Sequence, residues 1–265
     1  MNLQKAILTL STSQKSSGKD SLLSGIVPTA MLLVTFLYLI CLLSLPLGKP
    51  DALIWFAVYP IIMSPMSDLS YGSVLKKSFY ILPFVMLIGI FNPFIDTAPA
   101  FSIGGVIISH GCLTFLSILI RGLLSFQALY ILIHLCGFLD LCAALQKIGI
   151  PKVMTTQLLM LYRYIDVLME EAMKLKSSVA SRAYGKKSLP IKLWTRIMGN
   201  LLLRTVDRSK RIHHAMLARG FDGHIPTETS FHWTSKDSLF LLSWTLIFIL
   251  LYLVDISKLI IPSFH

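Results

Sequence analysis

Twenty consecutive residues, Ile26–Leu45, carry no charged side chain, and Pro46, Gly48 and Pro50 close the run. A stretch of about 20 apolar residues has one stable destination, because a helix of that length crosses the ~30 Å hydrocarbon core with its backbone groups paired internally. The theme recurs. Leu53–Met66 is shorter, and Pro60 and Pro65 predict a kinked helix supported by its neighbours. A third run extends from about Phe79 to Ile95, after Lys76 and Lys77, and Asn92, Pro93, Asp96 and Pro99 mark the loop beyond it. Leu239–Val254 is the last. Only 14% of the 265 residues are charged and 55% are hydrophobic, where a soluble fold needs roughly a quarter charged to cover its surface. This balance excludes a secreted disulfide scaffold, a collagen and a disordered tail. The polar first 25 residues and the length of the run from Ile26 predict a segment that inserts and stays, not a cleaved signal peptide.

Ile103–Cys136 is apolar throughout except that Arg121 sits near its middle. Two antiparallel spans cannot turn on a single residue, and one helix of all 34 residues would reach about 51 Å, well beyond the hydrocarbon core. The reading is a short outer segment containing Gly104 and Gly105, followed by one long tilted span. Arg121 then faces the bundle interior or a wet crevice, since a lipid-facing Arg at mid-depth costs roughly 3 kcal/mol. It serves there either as a packed structural cation or as part of a pathway.

From Gly137 to Lys236 no window is long enough and apolar enough to span, and these hundred residues hold 16 of the 24 Lys and Arg against seven acids. Basic loops stay in the cytosol. The N-terminus, with Lys5, Lys15 and Lys19, falls on the same side, and five spans put the C-terminus outside. The expected organisation is a cytosolic N-terminal segment (1–25), membrane helices 1–4 (26–136), a cytosolic basic region (137–236), a last transmembrane helix (237–257) and a C-terminal tail (258–265). The fold class is an all-α membrane protein of about five transmembrane helices, with two long cytosolic helices between the last two spans.

Pro151 suits the first turn of the first of these. Met154, Leu158, Leu161, Ile165, Leu168, Ala172, Leu175 and Val179 recur at heptad steps and predict one buried seam, which ends near Arg182 with Gly185 available as a stop. Arg163, Asp166, Glu170, Glu171 and Lys174 take the opposite face. A second helix is predicted from about Ile191 to Arg219, with Trp194, Met198, Leu201, Thr205, Ile212 and Ala215 on one stripe, Arg208 interrupting it and Gly220 as cap. Each stripe closes on an Arg between small residues: Ser181-Arg182-Ala183 and Ala218-Arg219-Gly220. Small flanks let a partner backbone approach, and the guanidinium fork engages carboxylates in pairs. One such Arg would merely complement a helix dipole; two copies 37 residues apart point to docking. Arg204, Arg208 and Arg211 form a separate basic stripe for headgroups or solvent.

The remaining chemistry is sparse. Cys41, Cys112, Cys136 and Cys142 show no CxxC spacing and read as reduced packing residues. His213 and His214 are adjacent, unlike an i,i+4 metal pair, and His110 and His134 in the fourth span read as packed. No metal site is expected. There is no GxxxxGK[ST], so the chain is not expected to hydrolyse ATP. Glu170-Glu171 is similar to the paired glutamates of intramembrane CAAX-type proteases, but Leu175 stands where those have Arg.

The segments LMLYRYIDVLMEEAMKLKSSVASRAYG (Leu159–Gly185) and LLLRTVDRSKRIHHAMLARGFDG (Leu201–Gly223) resemble the transmembrane T component of energy-coupling factor (ECF) transporters, in particular the cobalt-type, CbiQ-like branch. The other spans match as a hydropathy pattern. The resemblance implies a non-enzymatic subunit of an ABC-type importer in a prokaryotic cell (inner) membrane. Its two coupling helices would dock through Ser181, Arg182, Ala183, Ala218, Arg219 and Gly220 onto two ABC-type ATPase subunits. ATP would be bound by those partners, with no cofactor in this chain. A separate substrate-binding membrane subunit of metal type would capture cobalt or nickel, as in supply for cobalamin biosynthesis. Membrane lipid is a further partner and nucleic acid is not. The rival readings are a self-sufficient channel or carrier lined by Arg121, His110 and His134, and a scaffold whose basic region binds lipid or protein.

Overall fold

The computed structural model describes residues 23, 25–46, 50–95, 99–103, 106–182, 191–223, 225 and 232–253. The helices are α1 (Pro28–Ser44), α2 (Pro50–Phe56), α3 (Val58–Met66), α4 (Tyr71–Ser78), α5 (Leu82–Gly89), α6 (Asn92–Ile95), α7 (His110–Ile148), α8 (Lys152–Arg182), α9 (Ile191–Leu217) and α10 (Ser235–Leu253). Between α6 and α7 an antiparallel hairpin pairs β1 (Pro99–Ile103) with β2 (Val106–Ser109), from Pro99 opposite Ser109 to Ile103 opposite Val106. The described residues within Ser16–Ala144 and Phe231–His265 form one compact unit, and those within Leu145–Ser230 another.

The protein is all-helical in class, as the sequence predicts, with one short hairpin added between α6 and α7. Its strands flank positions 104 and 105, where the sequence reading placed a short outer segment. Among the described residues two helices, α7 and α10, are long and apolar enough to cross a membrane; α4 and α5, bent by 48° at their break, make a third if they form one span. Helix α1 and the stretch Ala52–Met66 are shorter apolar helices. The third expected span is not one helix: α5 begins only at Leu82, a turn at Ile90–Phe91 follows, and α6 starts again at Asn92. Pro83 and Pro93 each lack the N–H that a continuous ladder needs. The segments 1–22, most of the expected N-terminal segment, and 254–265, with the C-terminal tail, lie outside the described residues.

The predicted proline kink falls three residues ahead of Pro60, at Ala57 between α2 and α3. A proline has no N–H for the carbonyl four residues back and its ring crowds that carbonyl, so the Phe56 carbonyl loses its helical partner. The Tyr38 hydroxyl of α1 donates to it at 3.1 Å. Beside it, Tyr59 and Thr35 hydroxyls bond at 2.9 Å. A core of aromatic rings surrounds these bonds: Tyr38 stacks on Tyr59 at 4.4 Å, and Phe248 of α10 lies against Tyr38, Phe56, Tyr59 and Trp244.

Two contacts set α7 antiparallel to α1. Arg121 Nη2 donates to the Leu45 carbonyl at 2.8 Å, and Cys136 Sγ meets Met31 Sδ at 3.8 Å. The interval is 15 residues on α7 and 14 on α1, each about 21–23 Å along a helix. Carbonyls in the last turn of a helix have no partner within it. Arg121 therefore caps the end of α1, where its charge also suits the dipole. Small residues set the approach of α5 to α7. A Cβ on Gly122 would lie 2.9 Å from both γ-methyls of Val85, and one on Gly89 would lie 2.7 Å from the Phe115 ring. Val85 is stiff at χ1, so Gly122→Ala should cost about 1–3 kcal/mol by overpacking. A lowered unfolding temperature in detergent checks it; an unchanged one would show that α5 shifts freely.

Candidate functional site

The second unit is built on α8 and α9. Pro151 opens α8, its carbonyl accepting the N–H groups of Met154 and Thr155. No Pro or Gly interrupts the 31 residues to Arg182, about 46 Å of helix. The side of α9 that packs is Ile197, Leu201, Thr205, Arg208, Ile212 and Met216, all buried or half-buried. The last four of these line a groove of about 430 Å³ with Gln157, Met160, Tyr164, Val167 and Leu168 of α8.

This register corrects the expected seam. Met154, Leu161 and Ile165 are exposed, whereas Leu158, Leu168, Ala172, Leu175 and Val179 are half-buried. Periodicity marks an apolar face but not the partner that takes it, and α9 occupies the flank at Met160, Tyr164 and Val167. On α9, Trp194 and Met198 are likewise exposed. Arg208 does not interrupt the packed face but belongs to it: its Nη1 pairs with Glu171 Oε2 at 3.0 Å, the Glu171 side chain being 22% exposed. Arg204 and Arg211 remain exposed, so the basic stripe holds two residues, not three. Glu171, placed by the sequence on the outer face, is the other half of this joint. Glu170 and Lys174, one turn apart on the outer face, pair at 2.8 Å in open solvent, and the Lys174 hydrogen bond holds the Glu170 carboxyl below its usual range.

The second small-Arg-small motif has a defined geometry. Gly220 adopts φ +79°, which glycine accepts without a Cβ clash. Its N–H bonds to the Leu217 carbonyl and that of Phe221 to Met216, both at 3.0 Å. This is a Schellman stop, with Arg219 as the C-cap residue. Ala218, Arg219 and Gly220 are all exposed. Of the first motif, Ser181 is exposed, its hydroxyl donating to the Ser177 carbonyl at 3.1 Å, and Arg182 is the last residue of α8. Ala183 and the expected stop at Gly185 lie outside the described residues. Each motif Arg stands eleven residues past its helix's member of the Glu171–Arg208 pair, about 16 Å along a helical rise.

The residues of the rival pathway are not brought together. His110, Arg121 and His134 are spread along α7 over 24 residues, about 36 Å. Arg121 is occupied at Leu45. The His134 ring lies 6.4 Å from that of Tyr130, which accepts a hydrogen bond from Lys77. His213 borders the α8–α9 groove, its ring 6.2 Å from that of His214. Among the described residues no three His, Cys, Asp or Glu side chains converge as a metal site would require. All four cysteines are free; Cys136 and Cys142 are buried, Cys41 is half-buried, and Cys112 is exposed, contrary to its expected packing role.

Together these features describe a helical membrane protein carrying a basic, paired-helix unit inserted ahead of its last apolar helix. The model of the cobalt transport protein family CbiQ matches residues 19–233, and this chain belongs to that family. It is also similar to an uncharacterized protein of Methanocaldococcus jannaschii, 31% identical over 116 residues. That match covers 43% of this chain and 39% of the relative, so the chain spans well under half the length of that protein.

Proposed function

We propose that this chain is the energy-coupling transmembrane component of an ECF-type importer for cobalt or nickel ions, five spans with the N-terminus and the α8–α9 unit in the cytosol. The observation that carries the reading is the family match over residues 19–233, which contains both small-Arg-small motifs. Arg182 and Arg219 each dock in a groove of one of two ABC-type ATPase subunits, where ATP is bound and hydrolysed. Closure of the ATPases displaces the two helix ends, and α8 and α9, joined by Glu171 and Arg208, pass the motion to a separate substrate-binding membrane subunit. A mid-helix ion pair suits this role, because it fixes the register of one helix against the other. The chain itself carries out no catalysis.

Affinity purification of the tagged protein in mild detergent tests the reading. Two ATPase copies and a small membrane protein should co-elute. Cobalt uptake by the purified chain alone in liposomes, without ATPases, would instead establish the self-sufficient carrier. That alternative draws less support, since Arg121 is engaged as a helix cap.

A further inference from the structure

Asp237 is fully buried in the membrane unit, and nothing in the coupling scheme uses it. It accepts two main-chain hydrogen bonds of 2.7 Å, from the Val27 N–H through Oδ1 and from the Thr234 N–H through Oδ2. Thr234 heads α10 and Asp237 lies three residues on, so the second bond is half of a capping box. Val27 is the N-cap of α1 and makes no side-chain cap of its own; the first bond supplies one. One carboxylate thus closes two helix N-termini 210 residues apart in sequence, where both dipoles favour negative charge.

Helix α7 passes this same end, seven residues before the membrane unit's boundary at Ala144. Met31, one turn into α1, touches Cys136, and the next residue, Gly137, breaks α7 with φ 69° and ψ 165°. Only glycine holds that conformation at low cost. The two connections between the membrane helices and the α8–α9 unit therefore differ. On the outgoing side α7 first passes a residue without a side chain, Gly137, still within the membrane unit. The returning one is pinned by two charge-assisted hydrogen bonds.

We propose that Gly137 is a hinge and Asp237 a clamp: α7 bends at Gly137 as the basic helices are displaced, while Asp237 keeps the starts of α1 and α10 together. Motion is then delivered through α7 and not dissipated by parting α1 from α10. Asp237 is a positioning residue, and the inference rests on the coupling reading above.

The test uses the full chain with its ATPases and substrate-binding subunit in liposomes, with Co²⁺ uptake and ATP hydrolysis measured on one sample. Asp237→Asn turns an amide NH₂ toward one of the two N–H groups. It should leave hydrolysis within about twofold while ions moved per ATP fall at least about fivefold, the low end of measured coupling energies. A purely structural role predicts that both rates fall in parallel; that result, or no change, overturns the clamp. Should Asp237→Asn not fold, Val27→Cys with Thr234→Cys still decides the matter. Cross-linked by oxidation, that pair should transport at the rate of the equally treated unaltered chain. Loss of uptake on cross-linking, reversed by reductant, would show that the two ends must separate. Gly137→Ala should also lower ions moved per ATP, and full coupling in that variant overturns the hinge. If the unaltered chain fails to assemble with ATPases, the coupling reading itself fails, and this is seen before any variant is compared.

Discussion

Arg182→Glu combined with Arg219→Glu should abolish co-purification of ATPases and lower ATP-driven uptake at least about a hundredfold. Truncating one partner of a hydrogen-bonded interfacial charge pair costs about 2–5 kcal/mol, and each 1.4 kcal/mol is a factor of ten in affinity. Reversal adds repulsion to the lost bond. Arg219 is exposed at the C-cap of α9, beyond the packed face, so its reversal should leave membrane insertion and the unfolding temperature unaltered. Arg219→Glu alone should weaken the assembly and retain the Arg182 arm. A scaffold whose basic unit holds partners by diffuse charge predicts a different pattern, in which partners survive the double reversal and dissociate in high salt. Partners retained in both the variant and high salt would remove the arginines from the docking role.

Phe248→Ala should destabilise the membrane unit by about 3–5 kcal/mol, as ring-deleting core substitutions do. Phe248 is 1% exposed and its ring lies 5.5 to 6.5 Å from those of Tyr38, Phe56, Tyr59 and Trp244, which come from α1, α2, α3 and α10 itself. In a bilayer the loss is mainly of packing, because lipid tails solvate an exposed ring as well as the core does. The resulting cavity removes contacts from four rings at once. At about 2–4 °C per kcal/mol, the unfolding temperature in detergent should drop by roughly 6–20 °C. Phe36→Ala, at a ring 60% exposed on α1, is the control and should change it little. Equal losses for the two would mean that the aromatic cluster is not the core of this unit.

Much of the α8–α9 unit was legible because its cues are local. Proline at 151 starts α8, the absence of Gly and Pro lets it run to Arg182, and Gly220 stops the chain after α9 where a positive φ is required. The face that packs was not legible. A heptad stripe through Met154, Leu161 and Ile165 and a flank through Met160, Tyr164 and Val167 are both apolar, and only the position of α9 selects the flank. Glu171 and Arg208 looked like surface charges for the same reason: an ion pair 37 residues apart has no periodic trace. In the membrane unit, Thr234-x-x-Asp237 ahead of an apolar run is a readable capping box. Its second acceptor bond, to Val27, is not.

Composition and periodicity alone indicated a membrane protein whose basic stretch contains two long helices, each running toward an Arg. These follow from length, hydrophobicity and local backbone preference, which are properties of neighbours in sequence. Tertiary structure alone decided that Arg121 caps α1, that Tyr38 answers the carbonyl freed by Pro60, and that Asp237 closes two helices at once. Each of these is a polar backbone group left unpaired by one element and satisfied by another far along the chain. Burial makes such pairing obligatory, but only packing chooses the donor and the acceptor.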